Sequence, residues 1–348
     1  MRRASGSLLL ALLIPIACAP PPAKPVDLRG RTMGTTYRVT IAGSGLSAQD
    51  TAKLHAEIDA RLARVNKLMS TYDPGSELSR FNRHPGAEPF PVSPETAAVL
   101  RAALRFSDES GGAFDATIGP LVDLWGFGSD ERERRLPSEA EIRAALEVVG
   151  FRHLHVETDP PTLRKSIPGL RVDLNAIAKG YGVDAVAALL AERGFADFLV
   201  EIGGEVLARG AKAPDAPWRI GIDRPVAGAA PGRTLSAIVA LDGSALATSG
   251  DYRNFFVQDG KRYSHIFDPG TGRPVTHRLA SASVIAPTCM EADAAATAVM
   301  VLGPRRGKAF IESHPGWEAL LIVGKPDGSF SELATEGFEA AIQGPLDR

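Results

Sequence analysis

Apolar side chains recur every three or four residues along several stretches of the chain, which is the spacing of an amphipathic helix. The longest of these stretches covers residues 47–69, with apolar positions at Leu54, Ile58, Leu62, Val65 and Met69. Ser93-Pro94 and the pair Ser138 and Glu141 are typical of helix starts. The pattern predicts helices over residues 47–69, from Ser93 to Gly111, from Ser138 to Gly150, over 177–193 and over about 290–302.

Beyond residue 197 the apolar runs become short and are separated by turn signals, which predicts β-strands. Asp259-Gly260 and Asp327-Gly328 are dipeptides typical of tight hairpin turns. Strands are expected over residues 36–41, 198–202, 219–223, 235–241, 255–258, 262–267 and 279–286, with a last hairpin near 320–330. Because helices and hairpins mix without strict alternation, we predict an α+β fold with mixed or antiparallel sheets packed against helices.

The composition is that of a folded protein without strong charge asymmetry. Of 348 residues, 44% are hydrophobic and 23% are charged, and 39 basic residues against 41 acidic ones leave a net charge of −2. These values argue against a disordered chain and against a broad basic surface for nucleic acid. The cysteines, Cys18 and Cys289, are too few and too far apart to suggest a disulfide framework.

The first residues resemble an export signal. Basic residues at positions 2 and 3 precede an apolar run that is too short to span a bilayer. Cys18 follows a small residue, as in a lipobox, although Pro15 stands where leucine is usual; the alternative is an ordinary signal cleavage after Ala19. We expect residues 1–18 to form a signal peptide with a lipobox cysteine, 19–30 a Pro-rich tether and 31–348 one folded domain.

Asp293 and Thr297 fall four residues apart in the predicted Ala-rich helix, so the carboxylate and the hydroxyl point the same way. Both are hard oxygen ligands of the kind that Mg²⁺ and Ca²⁺ prefer. The alternative is structural: an aspartate near a helix start is favoured by the helix dipole, and a threonine can bond to its own helix. The residues alone leave both interpretations open.

Lys179 lies in the first turn of the predicted helix over 177–193, after a run of small residues. A lysine there opposes the helix dipole and needs a partner, which an anionic ligand at the helix N-terminus would supply. A tightly packed helix start explains the same residues without a ligand. Hydroxyls, aromatics and His265 also cluster around the predicted hairpin, and Phe114 lies among glycines, but ordinary turn packing accounts for both features as well.

The order of these segments carries more information than any one of them. The succession consists of Met33-Gly34-Thr35-Thr36-Tyr37, Ser70-Thr71-Tyr72, and residues 76–82, 113–120, 172–182, 201–205, 248–255, 263–269 and 289–297. It closely resembles the ApbE family, the FAD:protein FMN transferases, with matching spacings over residues 31–303. Asn175 departs from the commoner glycine of its motif, which makes the correspondence at Ala176 looser than elsewhere.

The resemblance implies an ApbE-like α+β fold with an FAD cleft between two lobes. It also implies an enzyme that cleaves FAD, transfers the FMN half to a Thr or Ser hydroxyl of a target protein and releases AMP. The implied Mg²⁺ ligands are Asp293, Thr297 and the backbone carbonyl of Ala176. The positions that match the family's FAD contacts are Met33, Tyr72, Ala113, Phe114, Asp115, Lys179, His265 and Ile266.

An acceptor hydroxyl needs a base, for which His265 is the first candidate and Asp293 the second. The family implies target flavoproteins in respiratory electron-transfer complexes, and Cys18 implies a lipid anchor at the periplasmic face of a bacterial membrane. Two alternatives stay open: an Mg²⁺-dependent FAD pyrophosphatase that yields FMN and AMP, and a non-enzymatic periplasmic FAD-binding lipoprotein. Intact Asp293 and Thr297 favour catalysis over storage.

Replacing Cys18 tests the predicted lipid anchor. The variant Cys18→Ser should lose membrane attachment or fail to be processed, because serine cannot carry the thioether-linked lipid. Membrane fractionation and the intact mass of the mature protein measure both effects. An unchanged distribution and an unchanged mature mass would contradict the prediction.

Overall fold

The computed structural model describes residues 24–343, except residues 129–132, 227, 229 and 231. Its helices are α1 (Ala48–Met69), α2 (Glu77–Arg83), α3 (Pro94–Glu109), α4 (Gly119–Leu124), α5 (Glu139–Leu146), α6 (Ala178–Glu192), α7 (Cys289–Glu312) and α8 (Glu336–Ala341), with one 3₁₀ turn at Phe151–His153. Its strands are β1 (Val26–Thr32), β2 (Thr35–Ile41), β3 (Phe90–Pro91), β4 (Leu154–Thr158), β5 (Pro161–Lys165), β6 (Phe198–Ile202), β7 (Glu205–Arg209), β8 (Ala211–Ala213), β9 (Ala216–Asp223), β10 (Leu235–Leu241), β11 (Ser244–Gly250), β12 (Phe255–Gln258), β13 (Lys261–Ser264), β14 (Phe267–Asp268), β15 (Arg273–Pro274), β16 (Leu279–Ala286), β17 (Glu318–Gly324) and β18 (Phe330–Ala334).

One large antiparallel sheet organises the described part of the chain. Its strand order is β1-β2-β6-β7-β11-β16-β17-β18, and every neighbouring pair is antiparallel. Helices α1, α6 and α7 cover one face, while β9, β10 and α8 cover part of the other. Smaller sheets, β3-β5-β4, β10-β9-β8, β12-β13 and β14-β15, extend from this framework. The predicted α+β class with antiparallel sheets is confirmed.

Strand β16 lies at the centre of these layers, and each of its residues is buried. Ala282 and Val284 belong to the core shared with α7, whereas Ile285 belongs to the core shared with β9, β10 and α8. A strand with both faces covered is expected to be almost continuously apolar, as β16 is. On the side that faces α7, small residues such as Ala282 and Ala286 leave room for the helix to approach the sheet closely.

The local signals for helix starts are confirmed by the structure. Ser47 caps α1 by accepting a hydrogen bond from the N–H of Asp50, and Ser93 caps α3 in the same way. Ser138 and Glu141 form the predicted capping box at the start of α5. These caps satisfy N–H groups that have no partner inside the helix, so the sequence encodes the boundaries locally.

The prediction departs from the structure in two places. The tether expected over residues 19–30 is too long, because Val26–Thr32 forms strand β1, which buries Leu28 against the core and pairs with β2. The high proline content before it obscured the alternation of the strand; Cys18 and residues 19–23 lie outside the described residues. The span of α7 consists of two helices that meet at Gly303, whose φ of 76° and ψ of 176° are not helical; the first ends at about residue 302, as predicted, and the second, which runs from Pro304 to Glu312, was not predicted.

No helix in the described ranges combines the length and apolar content required to cross a bilayer.

Helices α6 and α7 meet without room for a side chain between them. A Cβ added to Gly180 would collide with the carbonyl oxygen of Cys289 and lie 2.7 Å from the Cα of Met290. Asp184, one turn further along α6, accepts hydrogen bonds from the N–H groups of Cys289 (2.8 Å) and Met290 (2.9 Å). A residue of α6 therefore caps the first turn of α7, which locks the relative position of the two helices.

The substitution Gly180→Ala tests this close contact. We expect it to lower the free energy of unfolding by about 1–3 kcal/mol, because the methyl group must push the backbone of α7 away. Urea unfolding followed by circular dichroism measures the change. The control is Gly324→Ala, whose Cβ would lie 3.7 Å from the carbonyl oxygen of Arg278, at an ordinary contact distance. Equal stability of the two variants would contradict the packing argument.

Candidate active site

A cleft of about 1480 Å³ opens between the helical layer and the β9 side of the molecule. Its walls come from the β1–β2 turn, the loop after α1, the loop around residue 115, the start of α6, strand β11, the segment around residue 265 and helix α7. The structure brings all of the predicted site residues to this cleft: Met33, Tyr72, Ala113, Phe114, Asp115, Ala176, Lys179, His265, Ile266, Asp293 and Thr297.

Asp293 and Thr297 lie on one side of α7 and face the cleft. The Oδ2 atom of Asp293 accepts a hydrogen bond of 3.0 Å from the N–H of Gly180, which fixes the orientation of the carboxylate. The hydroxyl of Thr297 lies 3.2 Å from the Ser249 hydroxyl on β11. Asp293 is only 3% exposed, so this carboxylate is positioned by the fold before any ligand binds.

The carbonyl of Ala176 lies where the helical hydrogen-bond pattern is interrupted. In a continuous helix it would accept from the N–H of Gly180, four residues on, but that group donates to Asp293 instead. Ile177, between them, has φ −150° and ψ −24°, outside the helical region. Among the described residues no hydrogen bond reaches the Ala176 carbonyl, and Ala176 lines the cleft.

Lys179 points between two carboxylates. Its Nζ atom lies 2.7 Å from Oε1 of Glu205, at the start of β7, and 3.6 Å from Oδ1 of Asp293. Burial alone would lower the pKa of the lysine, but the charges of Asp293 and Glu205 outweigh it and raise that pKa. Burial raises the pKa of Glu205 to about 7, an effect that Lys179 opposes and Asp293 reinforces.

His265 is held as a neutral base. Its Nδ1 atom lies 3.0 Å from the carbonyl oxygen of Asn254. Because a carbonyl can only accept, Nδ1 carries the proton and Nε2 keeps a free lone pair. Burial lowers the pKa of His265, and the nearby positive charges of Lys179 and Arg134 act in the same direction, against the hydrogen bond to Asn254. The imidazole is therefore able to accept a proton at neutral pH.

Two predicted cleft residues act mainly on the fold of their loop. The carboxylate of Asp115 accepts from the N–H (2.7 Å) and hydroxyl (2.6 Å) of Thr117 and from the N–H of Phe151 (2.9 Å). The ring of Phe114 is 3% exposed and lies 6.0 Å from the ring of Phe106. Between the two interpretations of this aromatic, the structure favours core packing, while Tyr72 is 61% exposed at the edge of the cleft.

Sequence reasoning missed two residues that shape the site. Glu205 lies in the segment 201–205, which the sequence does not connect with Lys179, although it is the closest partner of that lysine. Asn82 of α2 donates to the carbonyl of Val172 and accepts from its N–H, both at 2.8 Å, just before the loop that leads to Lys179. Neither contact has a local signal, because the partners are far apart along the chain.

A large cleft that combines hard oxygen ligands, a half-buried lysine and a neutral histidine indicates an enzyme for a large anionic ligand. The comparisons with known proteins identify the family. The family model described as ApbE family matches residues 33–321, and the chain belongs to this family.

Relatives resemble the chain over nearly its whole length. The FAD:protein FMN transferase of Vibrio cholerae is 45% identical over 331 residues, which cover 95% of this chain and 96% of that protein. The FAD:protein FMN transferase of Escherichia coli K12 is 38% identical over 345 residues, which cover 97% of this chain and 96% of that protein. The solved flavin transferase ApbE from Vibrio cholerae superposes with a TM-score of 0.83 at 44% identity, over 92% of this chain and 100% of that chain. The apo form of the flavinyl transferase ApbE of Pseudomonas stutzeri superposes with a TM-score of 0.83 at 40% identity. The match covers 93% of this chain and 98% of that chain.

Asp184 predicts a pH dependence of stability. Burial raises its pKa to about 6, against the two N–H groups that favour the charged form. The folded protein thus binds a proton more tightly than the unfolded chain, so the free energy of unfolding should fall as pH rises from about 4 to 6, by at most about 3 kcal/mol, and level off above.

The substitution Asp184→Asn should remove this dependence of the free energy of unfolding on pH. It should also lower that free energy by about 1–3 kcal/mol, because an amide cannot accept from both N–H groups. The difference in the free energy of unfolding between parent and variant should therefore become smaller as the pH rises from about 4 to 6. Urea unfolding at several pH values measures it. A gap that stays constant across this range would contradict the assignment of the slope to Asp184.

Proposed function

We propose that this protein transfers FMN from FAD to a Thr or Ser hydroxyl of a target protein and releases AMP. The observation that carries the proposal is the assembly of Asp293, Thr297, Lys179 and His265 around one cleft. The near full-length similarity to FAD:protein FMN transferases supports the same reaction.

The donor set fits a magnesium ion. Asp293, Thr297 and the Ala176 carbonyl offer one carboxylate, one hydroxyl and one carbonyl oxygen, and hard cations prefer such ligands. With Lys179 paired to Glu205, the charge of Asp293 remains for a cation. Because Mg²⁺ usually keeps waters and takes substrate phosphates as further ligands, this small set suits a metal that binds together with FAD. When bound there, Mg²⁺ would stabilise negative charge on the pyrophosphate oxygens.

The chain's own residues supply positioning and proton transfer. The acceptor oxygen bonds to the phosphorus of the FMN half, the bond from that phosphorus to the AMP oxygen breaks, and the hydroxyl proton must be removed. His265 accepts this proton at Nε2, since Nδ1 is engaged with Asn254. Lys179 in the first turn of α6 binds phosphate oxygens, and the buried loop around Asp115 forms a fixed wall of the cleft.

The competition between acceptor and water decides between transfer and hydrolysis. An acceptor hydroxyl docked in line with the phosphorus has an effective concentration of roughly 10⁵–10⁸ M, well above that of bulk water. In the absence of a target, slow hydrolysis of FAD to FMN and AMP is expected from the same groups. The pyrophosphatase therefore remains the second candidate, because the same groups would serve water as the acceptor.

We place the reaction at the periplasmic face of a bacterial membrane. The support is the apolar run that precedes Cys18 in the sequence. Flavoprotein subunits of respiratory electron-transfer complexes are the targets that fit this location. A flavin-storing lipoprotein would share the anchor but would not need a cation-binding Asp293.

The transfer reaction predicts distinct effects for two residues. With FAD, Mg²⁺ and an acceptor flavoprotein, the parent should release AMP and add an FMN mass to one Thr or Ser. His265→Gln should slow AMP release and FMN transfer about 10²–10⁴-fold through loss of a base, and Asp293→Ala should stop both through loss of the cation. Intact-protein mass spectrometry and AMP chromatography give the two rates.

The control is Glu291→Gln, which removes a carboxylate from the same helix at a site paired with Arg105 outside the cleft. This variant should keep the parent's rates. Rapid AMP release without any FMN on an acceptor would refute the transferase and support the pyrophosphatase. No AMP release at all would refute both enzymes and support a storage protein.

Metal and FAD should bind cooperatively. Calorimetry is expected to give weak Mg²⁺ binding to the apoprotein and at least tenfold tighter binding with FAD, because phosphate oxygens complete the ligand set. Thr297→Val should weaken the coupled binding, whereas Thr297→Ser, which restores the hydroxyl, should recover most of it. Equal Mg²⁺ affinity with and without FAD would refute the coupling.

A further inference from the structure

Lys179 lies between two buried carboxylates but bonds to only one of them. The distance from Nζ to Oε1 of Glu205, 2.7 Å, is that of a charge-assisted hydrogen bond, whereas the 3.6 Å to Oδ1 of Asp293 is not. The three side chains come from α6, β7 and α7, so their separation is set by the packing of these elements.

The carboxylate of Asp293 is held in one orientation by the backbone. Its Oδ2 atom is held by the N–H of Gly180, which leaves Oδ1 as the oxygen that faces Lys179. Oδ1 accepts no hydrogen bond from the described residues, so it is the less engaged oxygen of the carboxylate and the one for which a cation would compete with Lys179. Lysine and cation therefore compete for one atom, and the position of the ammonium group decides how available that atom is.

Glu205 is an unusual residue in this position. Its side chain is 6% exposed, and its Oε2 atom has no hydrogen-bond partner in the part of the chain that the structure describes. Burying a carboxylate is costly unless it is paired, and the charge of Lys179 offsets that cost. A glutamate that served the fold alone would be expected to have both oxygens satisfied.

We propose that Glu205 is a positioning residue that holds the Lys179 ammonium away from Asp293 and thereby keeps Oδ1 available to a divalent cation. This inference rests on the proposed function only in its use of a cation at Asp293. With Glu205 charged, the Glu205–Lys179 pair is neutral and the charge of Asp293 remains uncompensated. Without the Glu205 charge, the flexible lysine stem can close on Asp293 and neutralise it.

The experiment measures cation affinity directly, without turnover. Mn²⁺, a hard divalent probe visible by electron paramagnetic resonance, is titrated up to millimolar concentration into the full-length apoprotein and its variants. Glu205→Gln should weaken Mn²⁺ binding at least tenfold. The double variant Glu205→Gln/Lys179→Met should return it to within about threefold of the parent, because the competing ammonium group is gone. Lys179→Met alone should bind Mn²⁺ at least as tightly as the parent.

Removing both partners of an ion pair can also restore a fold that is destabilised by the loss of one partner, so the rescue supports positioning only where Glu205→Gln and the double variant unfold at the same temperature. The matched control is Glu318→Gln, a carboxylate on β17 that accepts from the N–H of Phe338 at 3.1 Å, outside the cleft; its Mn²⁺ affinity should equal that of the parent. Thermal unfolding verifies that each variant is folded.

The inference would be overturned if Lys179→Met bound Mn²⁺ more weakly than the parent. It would also be overturned if the double variant bound Mn²⁺ no more tightly than Glu205→Gln, or if the parent bound no Mn²⁺. The Lys179→Met result stands even where Glu205→Gln does not fold. Failure of the proposed function can be distinguished from failure of this inference. If FMN transfer is absent but the Mn²⁺ affinities of the parent and variants are as expected, the transferase is refuted and the positioning role of Glu205 stands.

Discussion

The close contact between α6 and α7 is the constraint on which the site depends. Gly180 lets the two helices touch backbone to backbone, and Asp184 ties the first turn of α7 to α6. Only at this separation can the N–H of Gly180 reach Asp293. The same bond diverts that N–H from Ala176, so one contact between helices orients a carboxylate and frees a carbonyl. Packing and chemistry thus have a single origin.

Most of the fold could be predicted because its signals are local. The Ser47 and Ser93 caps and the box at Ser138 place three helix starts, and the residues themselves define β6, β10 and β16. Strand β1 was missed because proline-rich composition hid its alternation, and its pairing with β2 is a non-local fact. The end of the first part of α7 was predicted because glycine followed by proline usually ends a helix, whereas the second helix after Gly303 was missed.

The list of cleft residues could be predicted from family resemblance, but their interactions could not. Nothing in the sequence indicates that Glu205 rather than Asp293 is the closest partner of Lys179, since both are carboxylates distant along the chain. Nor could spacing show that Asn82 holds the backbone of Val172. Such contacts depend on how strands and helices are layered, and a change of one ångström in that layering would reverse which carboxylate the lysine prefers.

The hydrogen bond from Gly180 to Asp293 also has a genetic consequence. Because the donor is a main-chain N–H, no side-chain exchange at position 180 deletes it, and only proline lacks the group. Yet any residue larger than glycine collides with the backbone of Cys289. The position is therefore closed to gradual adjustment, and the Asp293 carboxylate keeps its orientation as long as the two helices keep their contact.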